Sequence, residues 1–305
     1  MNIFITGGRG FIGSALSDYL FKNFSYSLFI PGRNELDLLN EYDVDEYIIS
    51  NKIDIVIHAA NIGGSRNIVS TTKTLENNLR MFFNVAKNSN RVKKIILLGS
   101  GAEYSKHKPI VLAQENDSDK GFPYDEYGFY KSVVSRFVEK SENMLNLRIF
   151  GCYGEKEDYR FRFISNSIVK NLLKLPIVIN QNVLFDYIYI GDLVKIIAYF
   201  IDKNNKYKIY NATSGQKIDL VTLAKIINEV SEYKSDIELI HSGFNKEYTS
   251  NNSRLLKELG DFQFTEHQEA IKMMRNYYLN NLNDLDKKTI VEDSYLERCN
   301  TMWKK

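Results

Sequence analysis

Tyr127-Gly128-Phe129-Tyr130-Lys131 sets a phenol and an ammonium four residues apart, inside a stretch (125–143) whose pattern predicts a helix. At that spacing the two side chains share one helix face, one turn apart. A free phenol ionises near pH ~10, and a neighbouring ammonium favours the phenolate, so the proton becomes easier to give. Such a pair can protonate a carbonyl oxygen while hydride arrives at its carbon. With 20 tyrosines in the chain the spacing arises easily by chance, and a solvated helix face would explain it. Upstream, Leu98-Gly99-Ser100-Gly101-Ala102-Glu103-Tyr104 puts Ser100 just past the end of an apolar strand. Its hydroxyl can hydrogen-bond the same oxygen and stabilise the charge developing there.

Hydride chemistry needs a carrier, and the chain opens on a candidate cradle for one. Thr6-Gly7-Gly8-Arg9-Gly10-Phe11-Ile12-Gly13 lies where an apolar strand turns into a helix, with Gly7, Gly10 and Gly13 spaced G-x-x-G-x-x-G. One glycine permits the tight turn, one lets backbone approach a pyrophosphate, and one lets helix and strand pack closely. The helix N-terminus then offers free N–H groups and positive dipole to the phosphates. After the second strand, where NAD binders place an acidic residue on the ribose, the sequence reads Pro31-Gly32-Arg33-Asn34. Arg33 and Arg9 suit a 2′-phosphate, so NADPH is expected over NAD; Glu35 is the residue that would favour NAD.

The elements that must position these groups alternate. Strand candidates at 2–6, 27–30, 53–58, 94–98 and 146–150 are separated by helical patterns at 11–23, 41–50, 74–89 and 125–143. That order predicts an α/β fold: a Rossmann-like, doubly wound parallel sheet whose strands all end on one edge. After Gly151 the alternation loosens, and a smaller interleaved C-terminal substrate lobe is expected. Residues 1–160, with a return segment about 183–203, would form the dinucleotide-binding domain, and 161–182 with 204–280 the substrate lobe. Residues 281–305 are read as a peripheral tail.

Composition excludes several classes. A net charge of +2 over 305 residues, without a dense basic block, points to no nucleic-acid partner. Two distant cysteines, Cys152 and Cys299, fit neither a disulfide framework nor a metal site, so no metal is expected. No run of about 18 apolar residues occurs, and the chain enters a strand directly after Met1, so a cytoplasmic protein without membrane contact is expected.

The glycine loop, His58-Ala59-Ala60, Ser100 and the Tyr127/Lys131 pair together resemble the extended short-chain dehydrogenase/reductases that act on nucleotide sugars, the NAD-dependent epimerase/dehydratase family. The likeness is greatest to its GDP-L-fucose synthase branch, through residues 33–38, 59–64 and 98–100, and is loose beyond the first half. The resemblance implies a Ser100/Tyr127/Lys131 triad, with Lys131 also on the nicotinamide ribose. It implies Arg9, Arg33 and Asn34 at the NADP phosphate and Asp37 and Leu38 near adenine. Ala59, Ala60, Asn61 and Phe150 would lie beside the cofactor. A homodimer formed through the helix that bears Tyr127 is implied as well.

Departures from that branch sharpen the expectation. Its epimerising Cys is replaced by Ala102, and no His occurs between His107 and His241, so reduction without epimerisation is expected. Ser100-Gly101-Ala102 lacks the two carboxylates of the 4,6-dehydratases. Gly151 stands for the family's Asn and Phe185 for its diphosphate-binding Arg; Arg160, Arg162 and Arg254 are the candidate replacements. Gly63, Gly64 and Ser65, with Gly101, Ala102 and Glu103, are candidate sugar contacts. His58 is read as a core or cofactor-edge residue, Tyr104 as packing, and Asp192 as a helix cap. The expected activity is reduction of the 4-keto group of a nucleotide-activated deoxysugar or heptose, GDP-linked by preference, for a surface polysaccharide. A nucleotide-sugar 4-epimerase retaining NAD and a non-catalytic NADPH sensor are the alternatives.

Overall fold

Runs of aliphatic and β-branched residues, short and bounded by turns, make the strands. The computed structural model describes residues 1–64 and 71–301. Among these the strands are β1 (Asn2–Thr6), β2 (Ser27–Phe29), β3 (Ile55–His58), β4 (Lys94–Ser100), β5 (Ile110–Ala113), β6 (Met144–Ile149) and β7 (Gly151–Tyr153). They continue with β8 (Ile177–Asn182), β9 (Leu184–Tyr189), β10 (Ile209–Ala212), β11 (Lys217–Asp219), β12 (Ile237–Phe244) and β13 (Tyr248–Ser250). The helices are α1 (Phe11–Asn23), α2 (Glu41–Ser50), α3 (Thr72–Ala86), α4 (Glu126–Lys140), α5 (Phe163–Leu172) and α6 (Ile190–Asp202). After these come α7 (Leu220–Glu229), α8 (Ser253–Leu259), α9 (His267–Asn280), α10 (Lys287–Val291) and α11 (Ser294–Thr301).

Six strands form one parallel sheet in the order β10-β6-β4-β3-β1-β2. The period of two sends Ile3, Ile5, Ile55 and Ile57 to one face, against Leu16 and Leu20 of α1 and Leu193 and Ile197 of α6. Phe4, Val56, Ile95 and Leu97 face the other side, against Val44, Phe82 and Val134 of α2, α3 and α4. Burial on both faces explains why these strands read as unbroken apolar runs. The fold is thus the doubly wound sheet expected. The chain leaves β1 for β2 and then crosses back to β3 on β1's other side, opening a crevice beyond Thr6 and His58.

A third core joins α5, α7 and α9 through Ile164, Ile168, Leu223, Ile227 and Met274. Two boundaries differ from those read in the sequence. Residues 209–212, expected in the substrate lobe, are the edge strand of the main sheet, and Leu255 of α8 packs into that sheet's core. The tail expected to be peripheral is part of the third core: Ile290, Tyr295 and Cys299 are buried there, apolar residues one to two turns apart amid charge. A small sheet in the order β11-β9-β13-β5, absent from the sequence reading, ties the lobe to the C-terminal edge of the main sheet.

Candidate active site

The glycine loop is closed too tightly for side chains. Gly7 has φ +66°, and a Cβ on it would stand 2.7 Å from the Ala60 backbone; one on Gly13 would meet Gly8 Cα at 2.7 Å. Helix α1 starts at Phe11 with Gly10 as its cap, so no side chain satisfies its first N–H groups. Bare N–H groups, a dipole and a cradle that any Cβ would fill fit a pyrophosphate. Thr6 Oγ1 lies 2.9 Å from His58 Nδ1 and accepts the Ala60 N–H at 3.1 Å, fixing the crevice wall. Burial pulls His58 down to about 3, with the Lys131 charge adding, so the ring is neutral and structural, as read from the sequence.

At the end of β2, Arg9 pairs with Glu35 at 2.8 Å, and Glu35 also accepts the Gly32 N–H. Arg33 and Asn34 lie exposed beside them. Asp37 accepts the Leu39 N–H at 2.9 Å, and the half-buried Leu38 presents its carbonyl to Asn84 Nδ2 at 2.9 Å. On the opposite wall, buried Asn78 of α3 holds Ile62 by both backbone groups at 2.8 Å. Asn61 Nδ2 donates to the Gly63 carbonyl at 2.8 Å. Gly64, at φ +79°, lies over Tyr127: a Cβ there would stand 2.9 Å from the ring. Ser65 lies outside the described residues.

Ser100, Tyr127 and Lys131 come together. Ser100 ends β4, and its Oγ accepts the Ala102 N–H at 3.1 Å. Asp125 caps α4 by accepting the Gly128 N–H at 2.8 Å, which sets Tyr127 in the first turn. Lys131, buried, donates to the Leu98 carbonyl at 2.7 Å and holds Nζ 5.8 Å from the Tyr127 ring centre. Burial raises the Tyr127 phenol, while Ser100 and Arg162 pull it back. The proton therefore stays on oxygen at neutral pH, ready to be given. Burial lowers Lys131 to about 8, against the pull of Glu103.

Several candidate substrate residues stand elsewhere. Glu103 does not face a sugar: fully buried, it pairs with Arg148 and accepts the Ser100 N–H at 3.0 Å. Arg160 is turned onto Asp158 at 2.9 Å and lies beside Phe11, on the glycine-loop side of the crevice. Arg254 reaches the Ile209 carbonyl and Asn116, away from the crevice. Arg162 does lie at the mouth, its Nη2 3.4 Å from the Gly64 carbonyl. Ala102 is buried, and Gly101 is covered by the rings of Phe150 and Tyr248. Gly151 leaves room for Tyr187, whose ring would stand 2.7 Å from a Cβ there. Asp192 does not cap α6, which begins two residues earlier; it accepts from the Thr265 N–H at 2.7 Å. Sequence reasoning missed Asn78 and Tyr248; the second belongs to a three-residue strand with no apolar alternation to reveal it.

Beside the mouth, Glu157 is buried and accepts from Ser165 Oγ at 2.7 Å. Burial pushes its carboxyl from 4.5 up to about 7, although Arg162 and Ser165 oppose the rise. Between those values the folded chain keeps a proton that the unfolded chain releases. Stability from this group is present below about pH 4.5 and falls as pH rises to 7, by about 3 kcal/mol in all. Glu157→Gln should flatten that window and melt higher than wild type near pH 8. Melting curves that respond to pH identically in the two proteins would refute the assignment.

Residues 3–213 match the NAD dependent epimerase/dehydratase family, and the chain belongs to it. A GDP-L-colitose synthase of Yersinia pseudotuberculosis is 24% identical over 93% of this chain and 100% of its own. The GDP-L-fucose synthetase of Naegleria fowleri, solved with NADP, superposes with a TM-score of 0.82 at 17% identity, over 92% of this chain and 93% of its own. A GDP-mannoheptose C4 reductase of Campylobacter jejuni, also with NADP, gives 0.77 at 23% identity, over 91% and 98%. At these identities the structural likeness is one of fold.

Proposed function

We propose that this chain is a nucleotide-sugar-modifying oxidoreductase that uses NADPH to reduce the 4-keto group of a GDP-linked deoxysugar or heptose, without epimerisation. The observation that carries the reading is the meeting of a protonated phenol, a hydroxyl and an ammonium in a crevice where position 102 holds only a buried Ala. The names of the colitose synthase, the fucose synthetase and the heptose reductase support the substrate class. A nicotinamide cofactor bound at the glycine loop would supply hydride to the carbonyl carbon. Tyr127 gives its proton to the carbonyl oxygen, Ser100 donates a hydrogen bond to that oxygen, and Lys131 steadies the phenolate left behind. Gly7, Gly10, Phe11, Ile12 and Gly13 would hold the pyrophosphate, with Arg9 and Arg33 on the 2′-phosphate, where Arg9 would exchange Glu35 for it. Arg162 is placed to meet the substrate's diphosphate. A surface polysaccharide is the proposed destination of the product. Exposed Phe83 and Phe137 of α3 and α4, 5.3 Å apart, support pairing of two copies through these helices.

Glu35 at the end of β2 favours a second reading, a 4-epimerase that retains NAD. One experiment separates them: purified protein with NADPH or NADH and GDP-, CDP- and dTDP-linked 4-keto sugars, in deuterated water. The reductase consumes NADPH in preference to NADH and yields product without deuterium on the carbons flanking the former ketone. Deuterium at those carbons would contradict the reading of Ala102, and tightly held NAD with no net consumption would favour the epimerase.

A further inference from the structure

Strand β9 contains Phe185-Asp186-Tyr187, and its period of two turns Phe185 and Tyr187 to one face and Asp186 to the other. Asp186 is buried, its carboxylate accepting from Ser250 Oγ at 3.0 Å and from the Gly215 N–H at 3.2 Å. The charge therefore points away, and the face left to Phe185 and Tyr187 is aromatic, with ring centres 5.3 Å apart. Strand β7 sets Gly151 opposite Tyr187, whose ring fills the place that a side chain at 151 would take. Strand β13 sets Tyr248 opposite Phe185, ring centres 5.9 Å apart, and Tyr248 lies 4.7 Å from Phe150. Phe150 and Tyr248 cover Gly101, the residue after Ser100. Lys106 Nζ stands 5.3 Å from the Tyr248 ring centre. The half-buried rings of Phe150, Tyr248, Phe185 and Tyr187 thus form a continuous wall that begins beside Ser100. Positions 151 and 185, where the branch that the sequence resembles carries Asn and Arg, meet through Tyr187, and ring carbon replaces both polar groups.

A 4-keto sugar with its carbonyl oxygen between Ser100 and Tyr127 carries the substituent of carbon 5 one bond from the reacting carbon, within reach of this wall. A methyl group there gains by leaving water for aromatic carbon. A hydroxylated chain would bury oxygens against ring carbons that offer no partner, and an unpaired buried hydroxyl is costly. We infer that the wall of Phe150, Tyr248, Phe185 and Tyr187 selects a 6-deoxy sugar over a heptose, with Phe185 as a specificity-determining residue. This inference rests on the reductase reading of the same site and decides between the two sugars which that reading leaves open. Tyr248 points its hydroxyl at Gly101, so its ring rather than its oxygen flanks the sugar.

The test compares kcat/KM of the wild type, Phe185→Leu and Phe185→Asn, with NADPH and two substrates on the same nucleotide: a 4-keto-6-deoxyhexose and a 4-keto-heptose. The wild type should favour the deoxysugar by about 10–100-fold, the range over which an apolar pocket tells small groups apart. Phe185→Leu keeps the face apolar and should keep the preference. Phe185→Asn offers a hydroxyl a partner and should shrink the preference by roughly fivefold or more, losing rate with the deoxysugar and gaining it with the heptose. NADPH affinity should stay as in the wild type throughout. Wild-type protein that handles the two sugars within about threefold of each other, or prefers the heptose, would overturn the assignment, and this ratio decides even where a variant does not fold. Leu and Asn variants that shift the preference equally would also overturn it, because polarity at 185 would then not be what selects. Wild-type protein that consumes no NADPH with either sugar on any nucleotide would instead overturn the reductase reading beneath it.

Discussion

Tyr127→Phe protein is expected to bind NADPH as wild type does and to lose keto reduction by about 10²–10⁴-fold, the usual contribution of a positioned acid. The ring contributes packing beneath Gly64 and beside Lys131, and the substitution keeps it; only the proton is removed. Loss in kcat with unchanged cofactor affinity is the signature of a group acting in the transition state. The pH dependence adds a second readout. Lys131 carries its charge below about 8, so kcat should be level through neutrality and decline as pH rises past that value. Cofactor titration by fluorescence and single-turnover NADPH oxidation measure both. A Tyr127→Phe protein within tenfold of wild type would remove the phenol from the chemistry.

The parts of this site that the sequence made legible are those in which one local rule decides the outcome. The glycine loop is legible because a strand, a turn and a helix N-terminus are contiguous, and at Gly7 and Gly13 backbone approaches within 3 Å of where a Cβ would stand. Tyr127 and Lys131 are legible for the same reason: helical spacing alone puts them on one face. Helices α1 and α2 begin and end where the helical pattern of the sequence puts them.

What stayed hidden is what tertiary pairing supplies. Tyr248 lies in the polar run Asn245-Lys246-Glu247-Tyr248-Thr249-Ser250, which has no alternation and forms a strand only because β5 and β9 flank it. Asn78 looks like any polar residue of α3 until Ile62 is brought to it. The tail reads as peripheral because three apolar residues among many charges give a weak signal, although the third core supplies the surface that buries them. Nearness to Ser100 in sequence points Glu103 toward the sugar. A carboxylate finds its lowest energy instead beside a guanidinium that is itself buried, and only the sheet register, which sets Ser100 against Ile149, brings Arg148 within reach.

That buried pair carries the second large effect. Arg148 is at most 1% exposed and Glu103 fully buried, and besides Glu103 the guanidinium donates to Tyr104 Oη, the Glu115 carbonyl, Ser118 and Ser135 at 2.7–3.0 Å. Glu103→Ala would leave that charge without its counter-ion, a change that typically costs about 3–5 kcal/mol. For a chain of this size the melting temperature should fall by on the order of 10 °C. A fall of less than a degree or two in a thermal melt would mean that the neutral partners alone satisfy the guanidinium. Replacing both charges, Glu103→Leu with Arg148→Met, should recover much of the stability, because the desolvation cost disappears with the ions. It should not recover activity. Glu103 also accepts the Ser100 N–H at 3.0 Å, and a leucine cannot, so Ser100 loses its anchor in the double variant. Melting temperature and kcat would then part company, and that divergence distinguishes a pair that holds Ser100 in place from one that only fills the core.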